Sequence, residues 1–141
     1  METYKQQFIE FMVASDALTF GEFVTKSGRQ TPYFINSGNF ADGPRISQLG
    51  EWYARAINDR IGSGCDNLYG PAYKGIPLAV TTAAALWNLF QHRVTYTFNR
   101  KEEKTHGEKG ALVGHRYVGG EKVLIIEDVV TAGTSVRESL T

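Results

Sequence analysis

The chain has 141 residues, with 15 Lys and Arg against 15 Asp and Glu, so its formal net charge at pH 7 is zero. That length, with 42% hydrophobic and 21% charged residues, predicts one folded domain with its own core and excludes a disordered chain. No apolar run is long enough to span a membrane, Met1–Gln6 lacks the order of a signal peptide, and balanced charge argues against nucleic acid as the main partner.

Cys65 is the one cysteine, which excludes an internal disulfide or a thiolate metal cluster and fits a reducing cytoplasm. His92, His106 and His115 lack the spacing of a helical zinc site.

In chain order, Tyr4, Phe8, Phe11 and Met12 fall on one side of a short amphipathic helix over 4–12. Residues 18–36 read as an irregular hairpin, with a turn at Lys26-Ser27-Gly28-Arg29-Gln30 and Pro32 near the start of the second arm. Asp42-Gly43-Pro44 opens a helix carrying Ile46, Leu49, Tyr53, Ala56, Ile57 and Ile61 at helical spacing, and Gly62 stops it. A strand over 65–69 leads to a nearly all-apolar helix over 76–90, which predicts burial against a sheet. A strand follows over 93–98, then a charged, glycine-punctuated loop over 99–111. Tyr117-Val118, Gly119-Gly120 and 122–126 read as strand, turn, strand. Val123-Leu124-Ile125-Ile126 has the pattern of a strand buried on both faces. Helices alternating with strands predict an α/β domain with a largely parallel sheet. Ser135–Thr141 reads as two turns of a helix with no strand after it, so a C-terminal part of the fold is expected to be missing.

The segment 123–135 carries the chemistry. An apolar strand ends in Glu127 and Asp128, then a small-residue loop leads into a helix start. In an open parallel sheet, ligands sit beyond the carboxyl ends of the strands. Thr131, Gly133, Thr134 and Ser135 can surround a phosphate with N–H groups and hydroxyls. Two carboxylates repel a phosphate but accept hydrogen bonds from neighbouring ring hydroxyls, so the ligand this order suits is a sugar phosphate. The ordinary reading of the same residues is a strand-to-helix connection capped by Thr or Ser.

Residues 123–135 resemble the phosphoribosyl-diphosphate (PRPP) signature of the type I phosphoribosyltransferases. The resemblance implies that Glu127 and Asp128 bind the ribose 2- and 3-hydroxyls and that Thr131, Ala132, Gly133, Thr134 and Ser135 bind the 5-phosphate. Val129 and Val130 belong to the same donor-binding run. The first acid here is Glu where many relatives have Asp.

Lys26 to Phe34, Gly70 to Gly75 and Arg100 to Gly107 resemble, in order and spacing, segments of the orotate-using members of that family. By resemblance, Lys26, Phe34, Ile35 and Thr131 meet the orotate, with Lys26 also near the donor. Phe34 alone would read as ordinary core, and Ile35 stands where an aromatic residue is often found. Tyr73 and Lys74 would meet the donor on a loop with a cis peptide between Ala72 and Tyr73. Charge alone makes 99–111 a solvated loop. The resemblance makes it a mobile catalytic lid, with Arg100, Lys104 and His106 on the diphosphate and Lys101 reaching into the neighbouring subunit of a homodimer. Lys101, Lys104, His106 and Asp128 are the implied catalytic set.

The implied fold is the type I phosphoribosyltransferase sheet flanked by helices, within one incomplete domain over 1–141 and with an N-terminal hood over 18–40. The implied reaction moves the 5-phosphoribosyl group from PRPP to orotate, giving orotidine 5'-phosphate and diphosphate for cytoplasmic pyrimidine biosynthesis. Mg²⁺ would be held mainly by substrate and water, with Asp128 near its water shell. Three alternatives stand beside this: a transferase for another base, a donor-sensing regulator, and an inactive fragment. The last has weight because the resemblance places a further base-binding arginine beyond Thr141.

Overall fold

The structure is a computed structural model. It describes residues 3–104 and 110–141, without the side chains of residues 103 and 104. By its internal contacts the chain forms two compact units, residues 1–46 and 47–141.

The first unit holds helix α1 (Thr3–Ala14) and strands β1 (Leu18–Val24) and β2 (Gln30–Ile35). The strands pair antiparallel from Leu18↔Ile35 to Val24↔Gln30, with an irregularity between Phe20 and Phe23. The hairpin expected over 18–36 is therefore present. Its turn closes through Gly28 N–H donating to Thr25 O at 2.9 Å, with Gly28 at φ 82°, a conformation a side chain resists. The rings of Phe11 and Phe40 stack at 5.3 Å, and Asn39 Nδ2 donates to Asp16 O at 2.7 Å.

Helix α2 (Gly43–Ile61) starts where Asp42 Oδ1 accepts the Arg45 N–H at 2.8 Å. It ends at Gly62, at φ 55°. In the second unit come strand β3 (Asn67–Gly70), helix α3 (Gly75–Phe90), strands β4 (Thr95–Lys104), β5 (Gly110–Gly114) and β6 (Val123–Ile125), and helix α4 (Thr134–Ser139). The sheet order is β5-β4-β3-β6. β3 runs parallel to both β4 and β6, and β5 is antiparallel to β4. This is the largely parallel α/β sheet expected.

The core lies under β3 and α3. All four residues of β3 are buried, because that strand has a neighbour on each side. Leu78, Ala79, Thr82, Ala85 and Leu86 form the buried side of α3. Gly50 of α2 lies against α3, where a Cβ would come within 2.7 Å of Thr81 O. Asn67 is fully buried with its amide satisfied: it donates to Thr95 Oγ1 (2.9 Å) and Thr97 Oγ1 (3.0 Å) and accepts from Tyr117 OH (2.9 Å).

Three sequence expectations need correction. Tyr117-Val118 is not a strand. The antiparallel partner of β4 is Gly110–Gly114, and Gly114, at φ 95°, lies so close to Tyr96 O that a Cβ would be 2.4 Å away. Residues 99–104 and 110–111 are strand rather than loop, because β4 and β5 pair as far as Lys104↔Gly110. Residues 123–126 are not buried on both faces. Among the described residues β6 has a neighbour on one side only, Val123 is 43% exposed, and of the four only Ile126 is buried. Their apolar character matches a central strand, but burial is set by neighbours that local sequence does not specify. Smaller shifts move the strands read over 65–69 and 93–98 to Asn67–Gly70 and Thr95–Lys104.

Candidate active site

In the second unit the chain passes from β3 to β4 on one side, and β6 then lies on the other side of β3. The strand order therefore reverses between β3 and β6, where open α/β sheets leave a crevice beyond the carboxyl ends of the strands. Flanking that crevice are the loop Pro71–Lys74 after β3 and the stretch 126–133 after β6.

The first loop is built for a tight turn into α3. A Cβ on Gly70 would lie 2.2 Å from Gly75 O, and one on Gly75 would lie 2.7 Å from Pro71 Cδ. Both ends must therefore be glycine. The Ala72–Tyr73 peptide bond is cis, as the resemblance implies. Asn99 of β4 accepts the Ala72 N–H through Oδ1 at 2.7 Å, tying this loop to the neighbouring strand. Tyr73 is 71% exposed, and Lys74 points its Nζ to within 3.5 Å of Asp128 Oδ2.

The second loop begins where the ladder stops. Ile126 N–H still donates to Tyr69 O at 2.8 Å, and one residue later the oxygen of Glu127 accepts instead from Tyr53 OH of α2 at 2.7 Å. The Asp128 N–H donates to Glu127 Oε1 at 3.2 Å. Burial raises the Glu127 carboxyl above its ordinary range, and the adjacent Asp128 carboxylate adds to that, against the lowering effect of the Asp128 N–H. The Tyr53 phenol is pushed up to about 12, first by burial and then by the Asp128 and Glu127 charges, so it stays a donor.

Beyond the acids lies a cavity of about 70 Å³ lined by Glu127 and by residues 129–131 and 133–136. Gly133 turns the chain into α4 at φ 72°. Val130, Thr131, Thr134 and Ser135 are exposed.

Most residues that sequence reading named around this crevice are brought together: Tyr73, Lys74, Glu127, Asp128 and 129–135. Arg100, on β4, donates from Nη1 to Gly110 O at 2.9 Å, and Lys101 is exposed on the same strand. The Lys104 side chain and His106 lie outside the described residues. Lys26, Phe34 and Ile35 belong to the first unit. Lys26 is exposed in the hairpin turn, and Phe34 is 52% exposed, so it is not ordinary core; its ring lies 5.7 Å from that of Phe23. Sequence reading missed Tyr53, Asn99 and Val136. Tyr53 and Asn99 reach the loops only through tertiary contact. Val136 could have been found by extending the signature one residue.

Among the described residues, no three His, Cys, Asp or Glu side chains converge to hold a metal. Nor is any helix there long and apolar enough to cross a membrane.

The second unit is thus an α/β fold whose open, largely parallel sheet carries an acidic pair and a small-residue loop at its switch point. The profile of the phosphoribosyl transferase domain family matches residues 36–141, and the chain belongs to that family. It is 56% identical over 140 residues to a Clostridium acetobutylicum protein named orotate phosphoribosyltransferase, covering 99% of this chain and 62% of that protein. It is 54% identical to the Methylococcus capsulatus protein of the same name, covering 99% and 64%. A crystal structure of orotate phosphoribosyltransferase from Francisella tularensis matches at TM-score 0.80 and 42% identity, covering 94% of this chain and 59% of that one. The chain thus spans a little over three-fifths of the length of these curated relatives.

Proposed function

We propose that the chain transfers the 5-phosphoribosyl group of PRPP to orotate, giving orotidine 5'-phosphate and diphosphate. The observation that carries this reading is the meeting of Lys74 and Asp128 at the β3/β6 switch point, beside the loop 129–135. There the acids Glu127 and Asp128 take the ribose hydroxyls. Thr131, Ala132, Gly133, Thr134 and Ser135 surround the 5-phosphate with N–H groups and hydroxyls. Lys74 places positive charge toward the diphosphate, with Tyr73 beside it. The relatives' names supply the base.

In the reaction a ring nitrogen of orotate, its proton given up to solvent, forms a bond to the anomeric carbon as that carbon's bond to the diphosphate oxygen breaks. The bonding pair leaves with the diphosphate. Positive charge grows on the ribose ring while negative charge grows on the leaving group, so catalysis is positioning plus cationic stabilisation. Lys74, Arg100, Lys101, Lys104 and His106 supply that charge, with residues 99–111 acting as the catalytic segment and Lys101 serving the neighbouring subunit of a homodimer. Lys26, Phe34 and Ile35 of the 18–40 hood, with Thr131, take the orotate: an aromatic surface and an ammonium suit a flat anion.

The site's donor set fits Mg²⁺ in its outer shell: Glu127 and Asp128 are hard oxygen groups, which suit a cation that keeps its waters. Mg²⁺ would neutralise diphosphate charge, held on the substrate's own oxygens with Asp128 toward its water shell. The setting is the cytoplasm and the role pyrimidine nucleotide synthesis.

The test is an assay of the chain with PRPP and Mg²⁺ and, in turn, orotate, uracil and adenine. Formation of orotidine 5'-phosphate with orotate alone supports the reading. Turnover of another base in preference, or of none, overturns it.

A further inference from the structure

We infer that Tyr53 of α2 is a positioning residue for the acidic pair, holding the Glu127–Asp128 peptide plane so that the two carboxylates are aimed at the ribose end of the ligand. This rests on the sugar-phosphate reading of that site. It goes further in assigning a role to a residue outside both site loops.

The argument is one of hydrogen-bond accounting. β6 ends at Ile125, and the last bond that continues its ladder is Ile126 N–H to Tyr69 O at 2.8 Å. One residue further on, the Glu127 carbonyl has left the sheet on a residue that is still partly buried, and such an oxygen needs a donor. Tyr53 OH supplies it at 2.7 Å. On the opposite edge of the same peptide plane, the Asp128 N–H is taken by Glu127 Oε1 at 3.2 Å. The plane is thus held at both edges, and its rotation is what would swing both acidic side chains. The phenol cannot release its proton to do anything else at neutral pH, since burial and the two carboxylates keep it protonated. One turn earlier on α2, Gly50 lets that helix lie close to Thr81 of α3.

The acids face hydroxyls and the loop 131–135 faces phosphate, so the inference predicts an effect on one half of the ligand only. Binding of ribose 5-phosphate and of inorganic phosphate is measured by calorimetry for the parent chain and for Tyr53→Phe, with Tm as a control. Tyr53→Phe is expected to weaken ribose 5-phosphate about three- to tenfold, the range for one lost hydrogen bond, and to leave phosphate within about twofold. Equal affinity for ribose 5-phosphate, or equal weakening of both ligands, overturns the positioning role and leaves the site reading standing. A parent chain that binds neither ligand overturns the site reading, and this inference with it.

A second measurement covers a Tyr53→Phe chain that does not fold. With 3-fluorotyrosine placed at position 53 alone, the phenol is kept. Its fluorine resonance is expected to shift on adding ribose 5-phosphate and to stay in place on adding inorganic phosphate. No shift with ribose 5-phosphate, or the same shift with both, overturns the role.

Discussion

Lys74 Nζ stands 3.5 Å from Asp128 Oδ2, joining the loop after β3 to the loop after β6. The lysine side chain is 64% exposed, so water screens the pair and its worth to stability is about 0–1 kcal/mol at most. Its importance is positional. A cation and an acceptor from two separate loops meet at the one point where the strand order reverses.

On the proposed reading, Asp128→Asn removes a charged acceptor from the ribose end of the donor, together with the carboxylate facing Lys74. Hydrogen bonds to charged groups are worth about 1.5–3 kcal/mol, so PRPP affinity should fall about tenfold or more. Calorimetry checks this, and unchanged affinity refutes the role of Asp128.

Lys101→Ala should separate binding from turnover. If, as proposed, its charge serves the departing diphosphate, kcat should fall about a hundredfold or more while the KM for PRPP changes less than about threefold. Equal losses in both would mean that Lys101 binds the ground state.

Much of the fold is legible in the sequence. The turn at Gly28, the start of α2 at Asp42-Gly43-Pro44 and its stop at Gly62 are local backbone chemistry. The place of residues 127–135 at the strand-to-helix connection was legible for a similar reason, since these residues are side by side in the chain. The partner strand of β4 was not. The pair Gly119-Gly120 suggested a hairpin, whereas the Gly114 backbone is what fits against Tyr96.

The chain does bend at Gly119-Gly120, and Glu121 closes that bend. Glu121 accepts from the Val118 and Gly119 N–H groups at 2.7 and 2.8 Å and from His115 Nε2 at 3.1 Å. These bonds, the Val118 N–H foremost, hold its carboxyl down at about 2, against an ordinary 4.5. A lowered carboxyl stabilises the fold fully above its unfolded value, and the benefit is lost as pH falls through the folded one. Glu121→Gln should therefore lower Tm at pH 7. The gap to the parent should narrow as pH drops from 4.5 toward 2, as thermal melts across that range will show.

Gly50→Ala tests how α2 is held. A methyl 2.7 Å from Thr81 O meets backbone, which cannot move aside cheaply. Overpacking of this kind costs about 1–3 kcal/mol, more than the roughly 1 kcal/mol alanine gains over glycine within a helix. Denaturant titration should show a net loss of stability, and a gain would mean that α2 shifts freely.

Sequence by itself determined which segments are helices, where α2 starts and stops, and which run of residues forms the acid-and-small-residue loop, because propensity, capping and turn chemistry act between near neighbours. Tertiary structure alone decided that β6 lies beside β3 rather than β4, that Lys74 comes to Asp128, and that a tyrosine on α2 takes the carbonyl of Glu127. Those outcomes depend on long-range strand pairing and on how closely one helix approaches another. Such contacts are made between residues far apart in the chain, so no local pattern encodes them.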